Sequence, residues 1–256
     1  MRRNFPTLPE TDELYRLHRD AAAILRENLN AGTPEAGRAR AYLRSRGLDG
    51  KDVVKFGLGF AGRYHDVFGE IHSNIWTLIR KRLTFEIRDA TGRVIGFSGR
   101  KVDPDDPGPK YRNSSHSQIF LKSICLYGLD LAIDAIRRDG YAIVVEGQID
   151  MIQMHRAGFT NTIAPLGTSF TENHAFVLRR YADAAILLFD NDPRTDPKGV
   201  ETNPGQKAAE RTYELLKSLD IHPVNCVLPP GMDPDIFLKE RGPKALARLI
   251  EDCHES

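Results

Sequence analysis

From residue 141 onward the chain alternates short apolar runs with amphipathic segments. That rhythm restricts it to a parallel β-sheet covered by helices on both faces. Residues 141–146 read as a strand and 149–157 as a helix stopped by Gly158. Residues 161–164 are the next predicted strand, followed by a helix over 171–181 with Thr171 as its cap. A buried strand over 185–190, a helix over 204–219 with proline near its start, and a strand over 223–228 complete the pattern. Asp235 and Pro243 each open a short helix near the end.

The first half has a different character. Leu14, Leu17, Ala21, Leu25 and Leu29 fall at helical spacing before Gly32. Thr33-Pro34 then starts a second helix that ends at Gly47. A hairpin is predicted from Leu83, Phe85 and Ile87, alternating inward over 82–89, through a turn at 90–92 to a return strand over 93–100. Residues 103–118, rich in Pro, Asp and Ser, read as a loop, and 129–138 as a linking helix. The boundary falls between 128 and 141, giving a smaller α+β subdomain over 1–132 and an α/β domain over 133–256.

Charge divides along the same line. Residues 1–140 carry 24 Lys+Arg against 18 Asp+Glu, whereas 141–256 carry 12 against 17, although the net charge is only +1. The basic half suits a polyanion and the acidic half suits cations. A hydrophobic share of 41% with 28% charged residues excludes a disordered or fibrous chain. The longest apolar run, 184–189, is too short to cross a membrane, and no apolar stretch follows the N-terminus as in a secretory signal. Three dispersed cysteines without a C-x-x-C pair suit a reduced cytoplasm, and eight dispersed histidines give no zinc pattern. No Gly-x-x-x-x-Gly-Lys-[Ser/Thr] segment is present, which excludes a fused P-loop helicase.

The acidic residues of the second half fall at particular places. Glu146 ends the first predicted strand and Asp150 lies in the first turn of the next helix. Asp190 ends the third strand with Asp192 two residues on, and Asp233 and Asp235 follow the fourth. In a parallel sheet these ends share one edge, where open α/β folds place their sites. Carboxylates gathered there repel one another unless cations intervene, and hard divalent ions with oxygen ligands meet that need. Such ions hold phosphate oxygens through an in-line displacement. Taken singly, Asp235 also reads as a helix cap and Asp190-Asn191-Asp192 as a turn. Glu146 is harder to dismiss, because a carboxylate closing an apolar strand is costly without a partner.

Three segments resemble the signatures of a TOPRIM domain: Val-Val-Glu-Gly-Gln-Ile-Asp (144–150), Phe-Asp-Asn-Asp (189–192) and Gly-Met-Asp-Pro-Asp (231–235). The segment 164–171 is similar to one found in DnaG-type bacterial primases. Upstream, 85–89 with 92–100 resembles the hairpin of the primase N-terminal subdomain, and Pro-Lys-Tyr-Arg-Asn-Ser (109–114) with 119–122 and 126–129 resembles its basic motif. Segments 42–48 and 57–61 are similar to its opening. Topoisomerases and small TOPRIM nucleases share the acidic signatures but not this hairpin and Lys-Tyr motif. The ordered set is specific.

The resemblance implies a DNA primase, a nucleotidyltransferase that joins ribonucleoside triphosphates into short RNA primers on single-stranded DNA. It implies two or three Mg²⁺ or Mn²⁺ ions and no zinc. By motif position the metal residues are Glu146, Asp150, Asp190, Asp192, Asp233 and Asp235, with Glu146, Asp190 and Asp192 catalytic. Arg46, Arg100, Lys110 and Lys122, with Tyr111 and Asn113 beside them, are expected to hold triphosphate or template. Arg100 and Lys122 also read as solvated charges, and Tyr111 as a packing aromatic. A metal-dependent TOPRIM nuclease and a silent nucleic-acid-binding subunit of a replication or defence complex are the alternatives. Neither the family's zinc-binding module ahead of the core nor its helical bundle after Asp235 is expected here. A minimal core is therefore expected, cytoplasmic and nucleoid-associated, partnered by a replicative helicase or a separate zinc-binding protein that recognises the template. An insertion over 193–204 lies beside the expected metal residues.

Overall fold

The computed structural model describes residues 11–62, 79–167, 169–195 and 201–255. The chain divides into two compact units, 1–121 and 122–256. This division lies ahead of the 132/133 boundary expected from sequence, because residues just after 121 build the second sheet.

The first unit opens with helices α1 (Thr11–Leu29), α2 (Pro34–Ser45) and α3 (Gly50–Lys55). Thr33 caps α2 as its sequence predicts, its side chain accepting from the Ala36 amide at 3.3 Å. Asp49 caps α3 in a reciprocal box with Asp52. Strands β1 (Leu58–Phe60), β2 (Leu83–Arg88), β3 (Val94–Arg100) and β4 (Tyr111–Asn113) form one antiparallel sheet in chain order. The predicted hairpin is β2–β3. Its inward–outward alternation is not observed, since Thr84 and Glu86 are buried along with Leu83, Phe85 and Ile87. Helix α1 covers the sheet, with Ala21, Ala22 and Leu25 packed against Ala61, Ile79 and Phe97. The approach is so close that a Cβ at Gly59 would lie 2.8 Å from the Leu25 backbone. Strand β4 corrects the reading of 103–118 as loop throughout. Its pairing with Ser98–Arg100 is long-range and sets Tyr111 opposite Arg100.

The second unit carries β5 (Leu126–Tyr127), α4 (Leu129–Asp139), β6 (Tyr141–Val144), α5 (Gln148–Arg156), β7 (Thr162–Pro165) and α6 (Glu172–Leu178). It continues with β8 (Ala184–Leu187), β9 (Arg194–Thr195), β10 (Glu201–Thr202), α7 (Pro204–Ser218), β11 (His222–Asn225) and α8 (Pro234–Glu255). The sheet order is β11-β8-β6-β7-β5. Four strands are parallel, as the alternating rhythm requires. The fifth, β5, is an antiparallel edge that sequence reading missed. Ala142 and Val144 of β6 and Ala185 and Leu187 of β8 join one core with α4, α6 and α7. By strand alternation Ile143 and Ile186, also buried, face the opposite side, where α5 packs on β7 and on α8. The insertion folds in part as a hairpin, β9 with β10, and residues 196–200 lie outside those described. Helix α8 is broken at Gly242 (φ 77°, ψ 169°), so Pro243 starts a second helical segment as expected. No helix among the described residues is long and apolar enough to cross a membrane.

Candidate metal centre and basic surface

In the second unit the ends of β6, β8 and β11 bring the acidic residues toward one edge. Glu146 follows β6, and its Oε1 accepts the backbone N–H of Asp190 at 3.1 Å. The first acidic signature is thereby tied to the second. Burial pushes the Glu146 carboxyl up, while the Asp190 amide and the positive charge of Arg194 pull it back. Asp150, in the first turn of α5, is pushed well above the usual carboxylate range. Burial is the first cause, and repulsion from Asp190, Asp233 and Asp235 follows. Asp150 is therefore within electrostatic reach of carboxylates from the second and third signatures.

Asn191 ties the second signature to the third. Its backbone N–H donates to Met232 O at 2.9 Å, its carbonyl accepts from Gly231 at 2.6 Å, and its Nδ2 donates to Leu228 O. Asn203, the cap of α7, donates from Nδ2 to Asn191 Oδ1 at 2.6 Å. Gly205, in the first turn of α7, sits so near the site that an added Cβ would lie 2.6 Å from Glu146 Oε1. Sequence reading took Asn191 as turn composition only. No signal in the sequence marks it, because its burial comes from long-range bonds to Leu228, Gly231 and Met232.

The six carboxylates do not converge equally. Asp233, rather than Asp235, caps α8, with Oδ1 accepting from the Ile236 amide at 2.7 Å. Asp235 lies within the first turn, 1% exposed, and its Oδ2 accepts from Lys239 Nζ at 2.8 Å. Lys239 was missed by sequence reading, though its spacing four residues after Asp235 on a helix is a usable signal. Asp192 turns to Arg194, whose Nε donates to its Oδ2 at 2.8 Å. Among the described residues no group of three or more His, Cys, Asp or Glu side chains is gathered closely enough to hold an ion as it stands. The donor set still fits a hard divalent cation. It is all carboxylate oxygen, it lies at the carboxyl edge of a parallel sheet, and Asp150 is crowded by three like charges.

The first unit holds five of the expected basic-surface residues, and three of them, Arg46, Arg100 and Tyr111, form a stack with Tyr42. Arg100 lies over the Tyr42 ring at 4.5 Å and over the Tyr111 ring at 5.2 Å, and its Nη1 donates to the Tyr111 hydroxyl at 2.7 Å. Arg46 lies over the other arm of this stack, 5.5 Å from the Tyr42 centroid. Tyr42 thus joins the candidates that sequence reading named, flagged by its i,i+4 spacing from Arg46. Lys110 is exposed just ahead of β4, and Asn113 ends that strand half-buried. Arg82, 1% exposed, organises the loop before them. It donates to Gly99 O at 3.2 Å, to Pro109 O at 2.8 Å and to Asp106 Oδ2 at 2.6 Å. Lys122 belongs to the second unit, where burial lowers its pKa and its carbonyl accepts from His174 Nε2 at 3.2 Å.

Comparison with known proteins gives a consistent result. The family model "DNA primase catalytic core, N-terminal domain" matches residues 67–133, and the Toprim domain model matches 140–226. The DNA primase of Aquifex aeolicus is 34% identical over 236 residues, covering 85% of this chain and 45% of the relative. The crystal structure of the zinc-binding and RNA polymerase domains of the Aquifex aeolicus primase superposes with a TM-score of 0.82 at 31% identity, covering 96% of this chain and 62% of that one. A DnaG primase catalytic domain bound to single-stranded DNA is similar at a TM-score of 0.75 and 31% identity, covering 94% of this chain and 81% of that one. The chain spans less than half the length of the curated relatives it matches.

Proposed function

The chain belongs to the DnaG-type DNA primase family, and on that premise we propose that it synthesises short RNA primers on a single-stranded DNA template. Toprim domains bind divalent metal ions, and we assign the acidic edge of the second unit that role here, with two or three Mg²⁺ or Mn²⁺ ions. The observation that carries this reading is that the three acidic signatures are joined at one sheet edge, with Glu146 Oε1 accepting the Asp190 amide at 3.1 Å and Asn191 exchanging backbone hydrogen bonds with Gly231 and Met232. Carboxylates in that crowd gain from a bound cation what they lose to one another.

Bound at this edge, divalent ions supply charge neutralisation for the attacking 3′-oxygen and the leaving pyrophosphate. We assign Glu146, Asp190 and Asp192 to hold them as catalytic residues, with Asp150, Asp233 and Asp235 completing the set. Glu146 also orients the Asp190 backbone through its hydrogen bond. We assign Arg46, Arg100 and Lys110 of the first unit, and Lys122 of the second, as positive charges for triphosphate or template phosphates. Tyr111 and Asn113 flank them, and the Tyr111 ring, over which Arg100 lies, is assigned to the same phosphate-binding surface. In functional terms we divide the chain into a basic subdomain over 1–132 and a metal-binding domain over 133–256. We place the protein in the cytoplasm with the replication machinery, where a replicative helicase and a template-recognising partner would direct it to initiation sites.

The nuclease and silent-subunit readings are not favoured, because the match to the primase N-terminal core accompanies the Toprim match. A gel of products from single-stranded DNA, four ribonucleotides and Mn²⁺ tests the proposal. Short oligoribonucleotides from the wild type, abolished by Asp190→Ala with Asp192→Ala, are expected. DNA cleavage without nucleotides, or equal products from the double variant, would overturn it.

A further inference from the structure

Among the described residues, the insertion beside the acidic edge carries a cation, Arg194, that the family motifs do not include. Arg194 opens β9 and donates from Nε to Asp192 Oδ2 at 2.8 Å, with a second bond from Nη2. Its charge also reaches Glu146. Two tethers hold it there. Thr202 Oγ1 of β10 donates to the Arg194 carbonyl at 3.2 Å, and Asn203, next along the chain, donates to Asn191 Oδ1 at 2.6 Å. The hairpin therefore leaves from Asp192 and returns to the residue between Asp190 and Asp192. Its first strand puts a guanidinium on the acidic edge.

The pair it forms is easily exchanged. Both side chains remain largely in water, 68% exposed for Arg194 and 49% for Asp192, and ion pairs of that kind contribute little. A guanidinium fork fits a phosphate as well as it fits a carboxylate. We propose that Arg194 is a triphosphate ligand kept on Asp192 until that carboxylate is taken up by a divalent cation, after which its fork holds a phosphate oxygen of the incoming nucleotide. This rests on reading the edge as a cation site for nucleotidyl transfer. It adds a nucleotide-binding residue that belongs to this chain's insertion.

The exchange has two opposite consequences for one variant. Arg194→Ala removes a competitor for Asp192, so Mn²⁺ affinity, read by electron paramagnetic resonance of the free ion, should rise roughly two- to fivefold, the scale of an exposed ion pair. The same variant loaded with Mn²⁺ should bind a fluorescent GTP analogue roughly tenfold or more weakly, the scale of a charge-assisted hydrogen bond. Arg194→Lys keeps the charge without the fork and should fall between. A merely structural Arg194 would loosen the loop and weaken both ligands together, and that result would overturn the proposal. So would unchanged affinities for both, or tighter Mn²⁺ binding with undiminished GTP-analogue affinity. If the wild type takes up Mn²⁺ but the variant behaves identically, only the Arg194 assignment fails. If the wild type takes up no Mn²⁺, the cation site itself falls and this proposal with it.

Discussion

Lys239 Nζ lies 2.8 Å from Asp235 Oδ2, joining a half-exposed ammonium to a carboxylate that is 1% exposed. Burying a carboxylate costs several kcal/mol unless a partner offsets it, and Lys239 is that partner here. Lys239→Met should lower stability by roughly 1–2 kcal/mol, below the cost for a fully buried pair because half of the lysine stays in water. If Asp235 faces a cation site, Mg²⁺ should raise the melting temperature of the variant more than that of the wild type. Thermal unfolding with EDTA and with Mg²⁺ measures this. Equal shifts in both proteins would separate Asp235 from the cation site.

Arg82 is buried beneath the loop that leads to Lys110 and Tyr111, where it donates hydrogen bonds to three acceptors. Arg82→Met should destabilise the first unit by roughly 2–4 kcal/mol, since Asp106 is left partly buried without its charge partner. Single-stranded DNA affinity should fall with it, although Arg82 itself has no surface to offer. Urea unfolding and fluorescence anisotropy check the two effects. Full DNA affinity in a destabilised variant would show that the loop does not carry the binding surface.

His174 links stability to pH. Its Nδ1 accepts from the Thr171 amide at 3.1 Å, so the ring is neutral with its proton on Nε2, facing the Lys122 carbonyl. Burial lowers its pKa below the unfolded value near 6.5. The unfolded chain therefore takes up this proton before the folded one does. Stability is complete above about pH 6.5 and is lost progressively as pH falls from there toward the lower folded value. His174→Gln should be less stable at pH 7.5 but flatter between pH 6.5 and 5. Parallel pH profiles for the two proteins would rule out His174 as the titrating group.

Lys110 is exposed ahead of β4 and carries no structural burden comparable to that of Arg82. Lys110→Ala should fold normally and bind single-stranded DNA more weakly. The slope of log affinity against log salt should become shallower by about 0.7 for one lost phosphate contact. A salt titration by anisotropy measures it. An unchanged slope would remove Lys110 from the binding surface.

Much of the architecture is legible in the residues themselves. Thr33 and Thr171 announce their helices because a hydroxyl at the cap satisfies an amide locally. The parallel sheet follows from spacing alone. What sequence does not show is long-range. Tyr111–Asn113 is a strand only because Ser98–Arg100 lies alongside, while its Pro- and Asp-rich neighbours read as loop. Leu126–Tyr127 is too short to show a period of two. At the acidic edge, sequence places the carboxylates at strand ends but not their directions. A shift of two residues separates Asp233 as cap from Asp235 as buried partner of Lys239, and only the fold shows that Asp192 turns to Arg194.

We infer that carboxylates from the three signatures share divalent cations at one sheet edge. Anomalous scattering from Mn²⁺-soaked crystals tests it most directly. Peaks within coordination distance of Glu146, Asp190 and at least one of Asp150, Asp233 or Asp235, absent in Asp190→Asn, are expected. A well-ordered edge with no anomalous peak at saturating Mn²⁺ would contradict the account.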